Sequence, residues 1–371
     1  MKQNIFTRVL AIGTASPSGS IAQSKSCQQA QQFFACDEKR ERALQMLYKR
    51  SEIERRSLAI IDQESGCIDK TLFPAPTNAS DRGPGTDARM ERYSREVAPL
   101  ALAACRSALT LAEVDYSEIT HLVTASCTGF AAPGFDLALI QNLPLSPSTE
   151  RTHIGFMGCH GALNGLRVAD AFCRSNPAAI VLLCAAEICS VHMQYEWSAQ
   201  RLVANALFAD GAAAAVLRAS SDEATGAAGN AKYQSSSSIV IGGSTEAMNW
   251  KIGDNGFLMT LEAEVPELIE KNLPAFLHGW LAQSGLAIRD IKSWAVHPGG
   301  PRILKAVGDC LELESEMLSW SRAVLAQYGN MSSPTVLFIL DNLLKQSDKL
   351  PCVMLGFGPG LTVEAALINS D

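Results

Sequence analysis

Short, nearly continuous apolar runs recur along the chain: residues 121–126 (HLVTAS), 180–186 (IVLLCAA), 293–297 (SWAVH) and 352–357 (CVMLGF). Each is bounded by Gly, Pro or Ser, and helical patterns alternate with them. Runs of this kind mark strands covered on both faces in parallel or mixed sheets. Residues 1–19 (MKQNIFTRVLAIGTASPSG) read as a first strand followed by a turn. After Cys159, the apolar residues at 162, 163, 166, 168, 169 and 172 fall near one helical face. The expected class is α/β, with two sheets back to back and helices between and outside them, a layered αβαβα arrangement.

The pattern also repeats. Setting Ile119 on Ile291 places Ala125 on His297. From Ala125 to Cys159 is 34 positions, and from His297 to Asn330 is 33. An apolar run begins 19 residues after Cys159 and another begins 20 after Asn330. Three landmarks in near-register indicate a duplicated α/β unit. We expect an N-terminal half over 1–219, a linker or surface loop over the Ser- and Gly-rich 220–238, and a C-terminal half over 239–371. If the halves pack about a pseudo-twofold axis, Cys159, His297 and Asn330 converge there. Residues 66–87, rich in Pro, Gly, Ser and Asp, read as a long loop.

Composition narrows the function. Hydrophobic residues make up 47% of the 371 and charged residues 19%, which excludes wholesale disorder. A net charge of −7 argues against a nucleic-acid binder with a basic surface. The 11 cysteines form no CxxC, and no histidine stands at zinc spacing from them, which argues against a disulfide scaffold or structural zinc. Free thiols suit a reducing, cytoplasmic setting. No apolar stretch reaches the ~18 residues a membrane span requires. Asn78-Ala79-Ser80 matches a glycosylation sequon, a chance match in such a compartment.

Three residues carry candidate chemistry. Cys159 sits in Gly-Cys-His-Gly just before the expected helix, where the dipole and unpaired N–H groups favour a thiolate; read alone, it could equally be a buried inert thiol. His297, in WAVHPGG, stands at a strand end beside a loop that a ligand can approach closely; the plain alternative is a core histidine. Asn330, in YGNMSSPTVLFIL, reads first as a helix start, and its amide is also a potential oxyanion donor. His160 follows the cysteine but should diverge from it, and His121, His153 and His278 lack such context. Residues 39–56 carry seven Lys/Arg against three Glu, either a solvated face or a grip for an acidic cofactor's phosphates.

Five segments in order, GFMGCHGALNGLRVA, LVANALFADGAAAAV, WAVHPGGPRIL, YGNMSSPTVLFIL and GFGPGL, resemble the type III polyketide synthases, the chalcone and stilbene synthase family of the thiolase fold. The resemblance runs along most of the chain. It implies a homodimer that binds no cofactor and takes malonyl-CoA and an acyl-CoA starter as substrates. By the same resemblance Cys159 holds the acyl group as a thioester. His297 helps keep it a thiolate and, with Asn330, holds the malonyl thioester carbonyl through decarboxylation. Repeated condensation and cyclisation then give a resorcinol, pyrone or related product. Phe208 matches the gate between CoA tunnel and cavity, and Met259 stands where plant members have a second Phe. Lys49, Arg50 and Arg302 match or lie near the CoA-phosphate contacts, while Met46 and Ala43 replace other basic positions. Gly356, Phe357, Gly358, Pro359 and Gly360 would form one wall of the cyclisation pocket, beside Ser332. Cys127, His192 and Ala204 depart from the plant residues at cavity positions, and Ala132 stands where plant members have a Met that reaches across the dimer; Cys127 is familiar among bacterial members. Other readings stay open: a ketoacyl synthase III making one condensation with an acyl-carrier protein, a cysteine hydrolase, or a non-catalytic scaffold.

Overall fold

The apolar runs are continuous because both faces of their strands are covered. A computed structural model describes residues 5–34, 36–62, 64–221 and 231–370. Its main sheet contains β1 (Ile5–Ala15), β2 (His121–Ser126), β3 (Glu150–Gly155), β4 (Ile180–Ile188), β5 (Asp210–Ser221) and β6 (Ala231–Val240). A hairpin outside it follows, β7 (Met248–Gly253) and β8 (Gly256–Leu261). The main sheet is completed by β9 (Ser293–Val296), β10 (Cys352–Gly358) and β11 (Thr362–Asn369). On β10, Val353, Leu355 and Phe357 join one apolar core while Cys352 and Met354 join the other. Alternation is present, but both sides are dry, so the sequence shows no polar face. Each Leu or Val so buried contributes about 1.5–3 kcal/mol.

The helices are α1 (Gln23–Phe33), α2 (Glu38–Arg50), α3 (Thr86–Ala112), α4 (Phe135–Asn142), α5 (Gly161–Ser175), α6 (Ala199–Leu207), α7 (Val265–Ala282), α8 (Pro301–Cys310), α9 (Ser319–Tyr328) and α10 (Thr335–Leu344). The strand order is β9-β10-β11-β6-β1-β5-β4-β2-β3. Helix α3 packs on β1, β5 and β4, while α5 and α10 each touch strands of both halves. The α7 and α8 side chains share a core with β9, β10 and β11. This is the layered αβαβα plan. The two half-sheets are nevertheless one hydrogen-bonded surface, joined where Thr7, Arg8 and Val9 of β1 meet Tyr233, Lys232 and Ala231 of β6.

The duplication is visible in the element boundaries. The short 3-10 turns Tyr116–Glu118 and Ile288–Asp290 start 172 residues apart, as do β2 and β9 (121 and 293) and β4 and β10 (180 and 352). The expected linker is different. Residues 231–238 are strand, paired to β11 from Lys232↔Asn369 to Ser238↔Glu364, and β5 extends through Ser221; the remainder, 222–230, lies outside the described residues. Four consecutive serines conceal a strand because the ladder is made by backbone, and the partner strand supplies the apolar side chains.

Local chemistry fixes the ends that matter. Asp37 caps α2 by accepting from the Arg40 N–H at 2.9 Å. Glu38 and Glu41 sit in its first turn and Lys49 and Arg50 in its last, each sign matched to the helix dipole.

Candidate active site

Cys159 lies in the 3-10 turn Gly158–His160, between β3 and the N-terminus of α5. Phe156 and Gly158 hold positive φ angles of 57° and 66°. The turn is pressed onto the end of β10: a Cβ on Gly158 would stand 2.5 Å from Pro359 Cδ, and one on Gly358 would run into the His160 ring. Only glycine leaves room for the two halves to meet here.

The thiol is largely enclosed. Burial pushes it up to about 12; a hydrogen bond with the Ser332 side chain opposes this, the Glu187 charge adds to it, and the Asn330 side chain again lowers it. The helix N-terminus, Ser332 and Asn330 therefore work against a desolvation cost.

Asn330 is not a helix cap; α10 begins five residues later, behind Pro334. Its backbone bridges to Phe208: Asn330 N–H donates to Leu207 O at 2.9 Å and Ala209 N–H donates to Asn330 O at 2.8 Å. The side-chain Oδ1 accepts from the Ser332 N–H at 2.8 Å, which leaves the amide Nδ2 hydrogens as donors for a ligand.

His297 follows β9, and its N–H donates to Leu355 O on β10 at 2.8 Å. The residue is 1% exposed, and neither ring nitrogen has a hydrogen-bond partner. Burial lowers the imidazole to about 3, with a further push from His160, the residue beside Cys159. Two unpartnered nitrogens on a buried ring are rare in a core histidine, which ordinarily bonds a carbonyl.

Around the thiol the wall is formed by Cys127, Thr128, Cys189, Phe208, Trp250 and Ser332, with Met259, Gly358 and Pro359 closing it. A second, largely apolar cavity between α1 and α6 shares Cys189, Phe208, Trp250 and Met259 with the first. Phe33, Phe34, Leu58, Ile60 and Ile68 line it. Trp250 and Met259 are cross-strand partners in the β7–β8 hairpin, and the indole N–H donates to Cys127 O at 2.7 Å.

Other expected positions fall as follows. His192 lines the second cavity with its ring held in place: Nε2–H donates to Thr128 O at 2.6 Å, Nδ1 accepts from Phe257 N–H at 3.0 Å, and the ring stacks on Phe257 at 4.1 Å. Burial holds it neutral, down to about 3. Ala204 lines the second cavity. Ala132 does not reach either cavity in one chain; it sits with Phe130 and Arg151 in a surface depression. Gly356 and Phe357 are buried in β10, and Gly360 begins the turn to β11. Lys49 and Arg50 are exposed at the end of α2, which packs on α6, and Arg302 is exposed on α8 with Nη2 donating to Ala263 O at 3.0 Å.

Sequence reasoning missed three residues. Glu187, fully buried on β4, accepts from the N–H groups of Cys127 and Thr128, from the Ser126 and Thr128 hydroxyls, and from Ser333 Oγ at 2.6 Å. It ties the Cys127 loop to the Asn330 loop. Arg56 is buried and donates to both Asn205 O and Phe208 O at 2.7 Å, fixing the end of α6. Trp250 is the third. A charge inside the apolar run IVLLCAAEI was the one available signal, for Glu187.

A cysteine at a helix N-terminus, opening on an apolar cavity and touched by the Ser332 and Asn330 side chains, together with a buried histidine free of hydrogen-bond partners, is an arrangement suited to acyl transfer. The chain belongs to the chalcone and stilbene synthase family: the N-terminal domain of that family matches residues 3–221 and the C-terminal domain residues 232–371. It is 31% identical over 363 residues to the alpha-pyrone synthesis polyketide synthase-like Pks18 of Mycobacterium tuberculosis, covering 96% of this chain and 90% of that protein. It is 33% identical over 370 residues to type III polyketide synthase 21 of Oryza sativa, covering 97% and 93%. The crystal structure of PKS-I from the brown alga Ectocarpus siliculosus superposes with a TM-score of 0.90 at 30% identity over the full length of both chains. This chain is thus a type III polyketide synthase with a thiolase-like fold, an acyltransferase of CoA thioesters. No helix among the described residues is long and apolar enough to cross a membrane.

Proposed function

We propose that the chain extends an acyl group carried on Cys159 with malonyl units from malonyl-CoA and releases a cyclised pyrone or resorcinol. The observation that carries this is the meeting of Cys159 with the Ser332 and Asn330 side chains, with the buried, unpartnered His297 close enough to His160, the next residue in the turn, to feel its charge. Cys159 gives its proton to His297 as the sulfur attacks the starter thioester; the C–S bond to CoA breaks and CoA leaves with a proton. Malonyl-CoA then loses CO2, and the electron pair moves onto the thioester oxygen as an enolate. With its proton passed on to the departing CoA, His297 is neutral again, and its ring N–H and Asn330 Nδ2 donate to that oxygen, a charge that exists only after decarboxylation begins. The enolate carbon attacks the acyl carbonyl, a C–C bond forms, and the Cys159 C–S bond breaks.

An apolar starter is supported by the second cavity, whose polar side chains are turned to protein partners: Arg56 to two carbonyls and Arg201 to Met259 O. The pyrone outcome is supported by the name of the Mycobacterium relative. Lys49, Arg50 and Arg302 hold the CoA phosphates, and Phe208 separates CoA from the cavity. The enzyme works as a cytoplasmic homodimer, its chain organised as two α/β halves. A second copy covers the apolar surface at Phe130 and Met157, which are 54% and 44% exposed.

The test is mass spectrometry of intact protein and products after incubation with malonyl-CoA and a panel of acyl-CoAs, beside Cys159→Ala. An acyl adduct on Cys159 with pyrones or resorcinols absent from the variant is expected. A single β-ketoacyl product on carrier protein would favour the ketoacyl synthase III reading instead.

A further inference from the structure

His160, the neighbour of the nucleophile, starts a chain of side chains that crosses between the halves. Its Nδ1 lies 2.7 Å from Asn164 Oδ1, one turn along α5. Asn164 Nδ2 donates to Glu364 Oε1 at 3.1 Å, and all three residues are buried. Glu364 stands on β11 and accepts from both Arg167 Nη1 and Nη2, at 2.8 and 3.2 Å. Arg167 is 42% exposed, so the chain runs from the catalytic turn to the surface.

The proton positions follow from the ends of the chain. A carboxylate paired with arginine only accepts, so Asn164 must present its NH2 group to Glu364. Its oxygen then faces His160, and Nδ1 of that ring must carry the hydrogen.

The turn that this chain holds is strained. Phe156 sits at φ 57°, a conformation unfavourable for an aromatic residue that persists only where surrounding contacts impose it. The same strand supports both partners of the chemistry. β10 accepts the His297 N–H at Leu355, pairs Gly356 with Glu364, and receives the His160 ring at Gly358.

We propose that Asn164 and Glu364 are positioning residues: through His160 they lock the Cys159 turn onto β10 and so keep the sulfur within reach of Ser332 and Asn330. The proposal rests on Cys159 being the nucleophile. It differs from plain packing because it predicts that breaking the chain changes the chemistry of one sulfur.

The test is the pH dependence of Cys159 alkylation by iodoacetamide, read site by site by mass spectrometry on the full chain, with Asn164→Leu, Asn164→Asp and the double variant Asn164→Asp/Glu364→Gln. Asn164→Leu removes both hydrogen bonds. Asn164→Asp sets two carboxylates face to face. The double variant restores one donor and one acceptor with their order inverted. Both single variants should move the profile to higher pH and slow alkylation at pH 7 by about tenfold, the loss expected when a sulfur gives up a hydrogen bond to its charged form. The double variant should return toward the wild-type profile. Arg167→Gln, at the exposed end, should give a smaller shift in the same direction and covers the case in which the buried variants do not fold. An unchanged profile in Asn164→Leu or Arg167→Gln, or a double variant no closer to wild type than Asn164→Asp, would overturn the proposal. Alkylation needs no acyl-CoA. If these shifts appear but Cys159→Ala still condenses malonyl-CoA, it is the proposed reaction that falls and not the positioning chain.

Discussion

The Cys127 sulfur lies 3.3 Å from the Ser332 hydroxyl oxygen, the same hydroxyl that bonds Cys159. One Ser332 side chain from the C-terminal half thus links two thiols of the N-terminal half. Its bond to Cys159 lowers a pKa that burial has raised, so Ser332→Ala should raise that pKa further. At pH 7 we expect Cys159 alkylation to slow by about tenfold, with little change in thermal stability. Alkylation as fast as in the wild type would show that this hydroxyl does not support the thiolate.

Acid should destabilise the fold through its buried histidines. His192 and His297 are both pushed down to about 3 by burial, from 6.5. Below pH 6.5 the unfolded chain binds protons that these rings refuse in the folded state. Their contribution is therefore complete above pH 6.5 and is lost as pH falls toward 3. The expected loss by pH 4.5 is on the order of 2 kcal/mol for each ring. Asp210, raised to about 6 by burial, works in the opposite sense over pH 6 to 4. Urea unfolding at pH 7 and pH 4.5, in wild type and His192→Gln, should show a smaller acid loss in the variant.

Removing the Glu187 carboxylate should cost more than its position away from the sulfur suggests. Glu187→Ala leaves the donors of Ser126, Cys127, Thr128 and Ser333 without their acceptor, each worth about 1–3 kcal/mol when buried. We expect a loss of at least about 3 kcal/mol in urea unfolding and little remaining condensation. Wild-type stability in this variant would mean that water replaces the carboxylate.

Gly358→Ala places a methyl group where the His160 ring lies. The ring must move or the turn must lift from β10. Condensing activity should fall by at least about a hundredfold, the scale on which ~1 Å displacements act on catalysis, while far-UV circular dichroism stays that of the wild type.

Trp250→Ala removes the largest part of the wall between the two cavities. The expected result is a shift of kcat/KM toward longer acyl-CoA starters, measured as the ratio between a long-chain and a short-chain substrate. An unchanged ratio would show that the second cavity does not receive the acyl tail.

Much of this was legible in the sequence. Cys159, His297 and Asn330 could be chosen from 11 cysteines and six histidines because the two halves carry them at matched distances from equivalent strands. The apolar runs gave the central strands because burial on both faces leaves a one-dimensional mark. What escaped depends on partners that only the folded chain brings together. Glu187 has meaning only beside Ser333, Arg56 only beneath Phe208, and Trp250 only opposite Met259. The serines of β6 carry no strand signature of their own, since their neighbours on β11 provide it.

The β7–β8 hairpin stands apart from the main sheet and carries both Trp250 and Met259. On the proposed reaction, chemistry and cavity size would then be held in different parts of the molecule. The sheet and its buried turns hold the thiol, the imidazole and the amide. The hairpin supplies Trp250 and Met259 to the wall that the two cavities share. Such a molecule can change what it makes through a few residues in one peripheral ribbon while the machinery that makes it stays as it is.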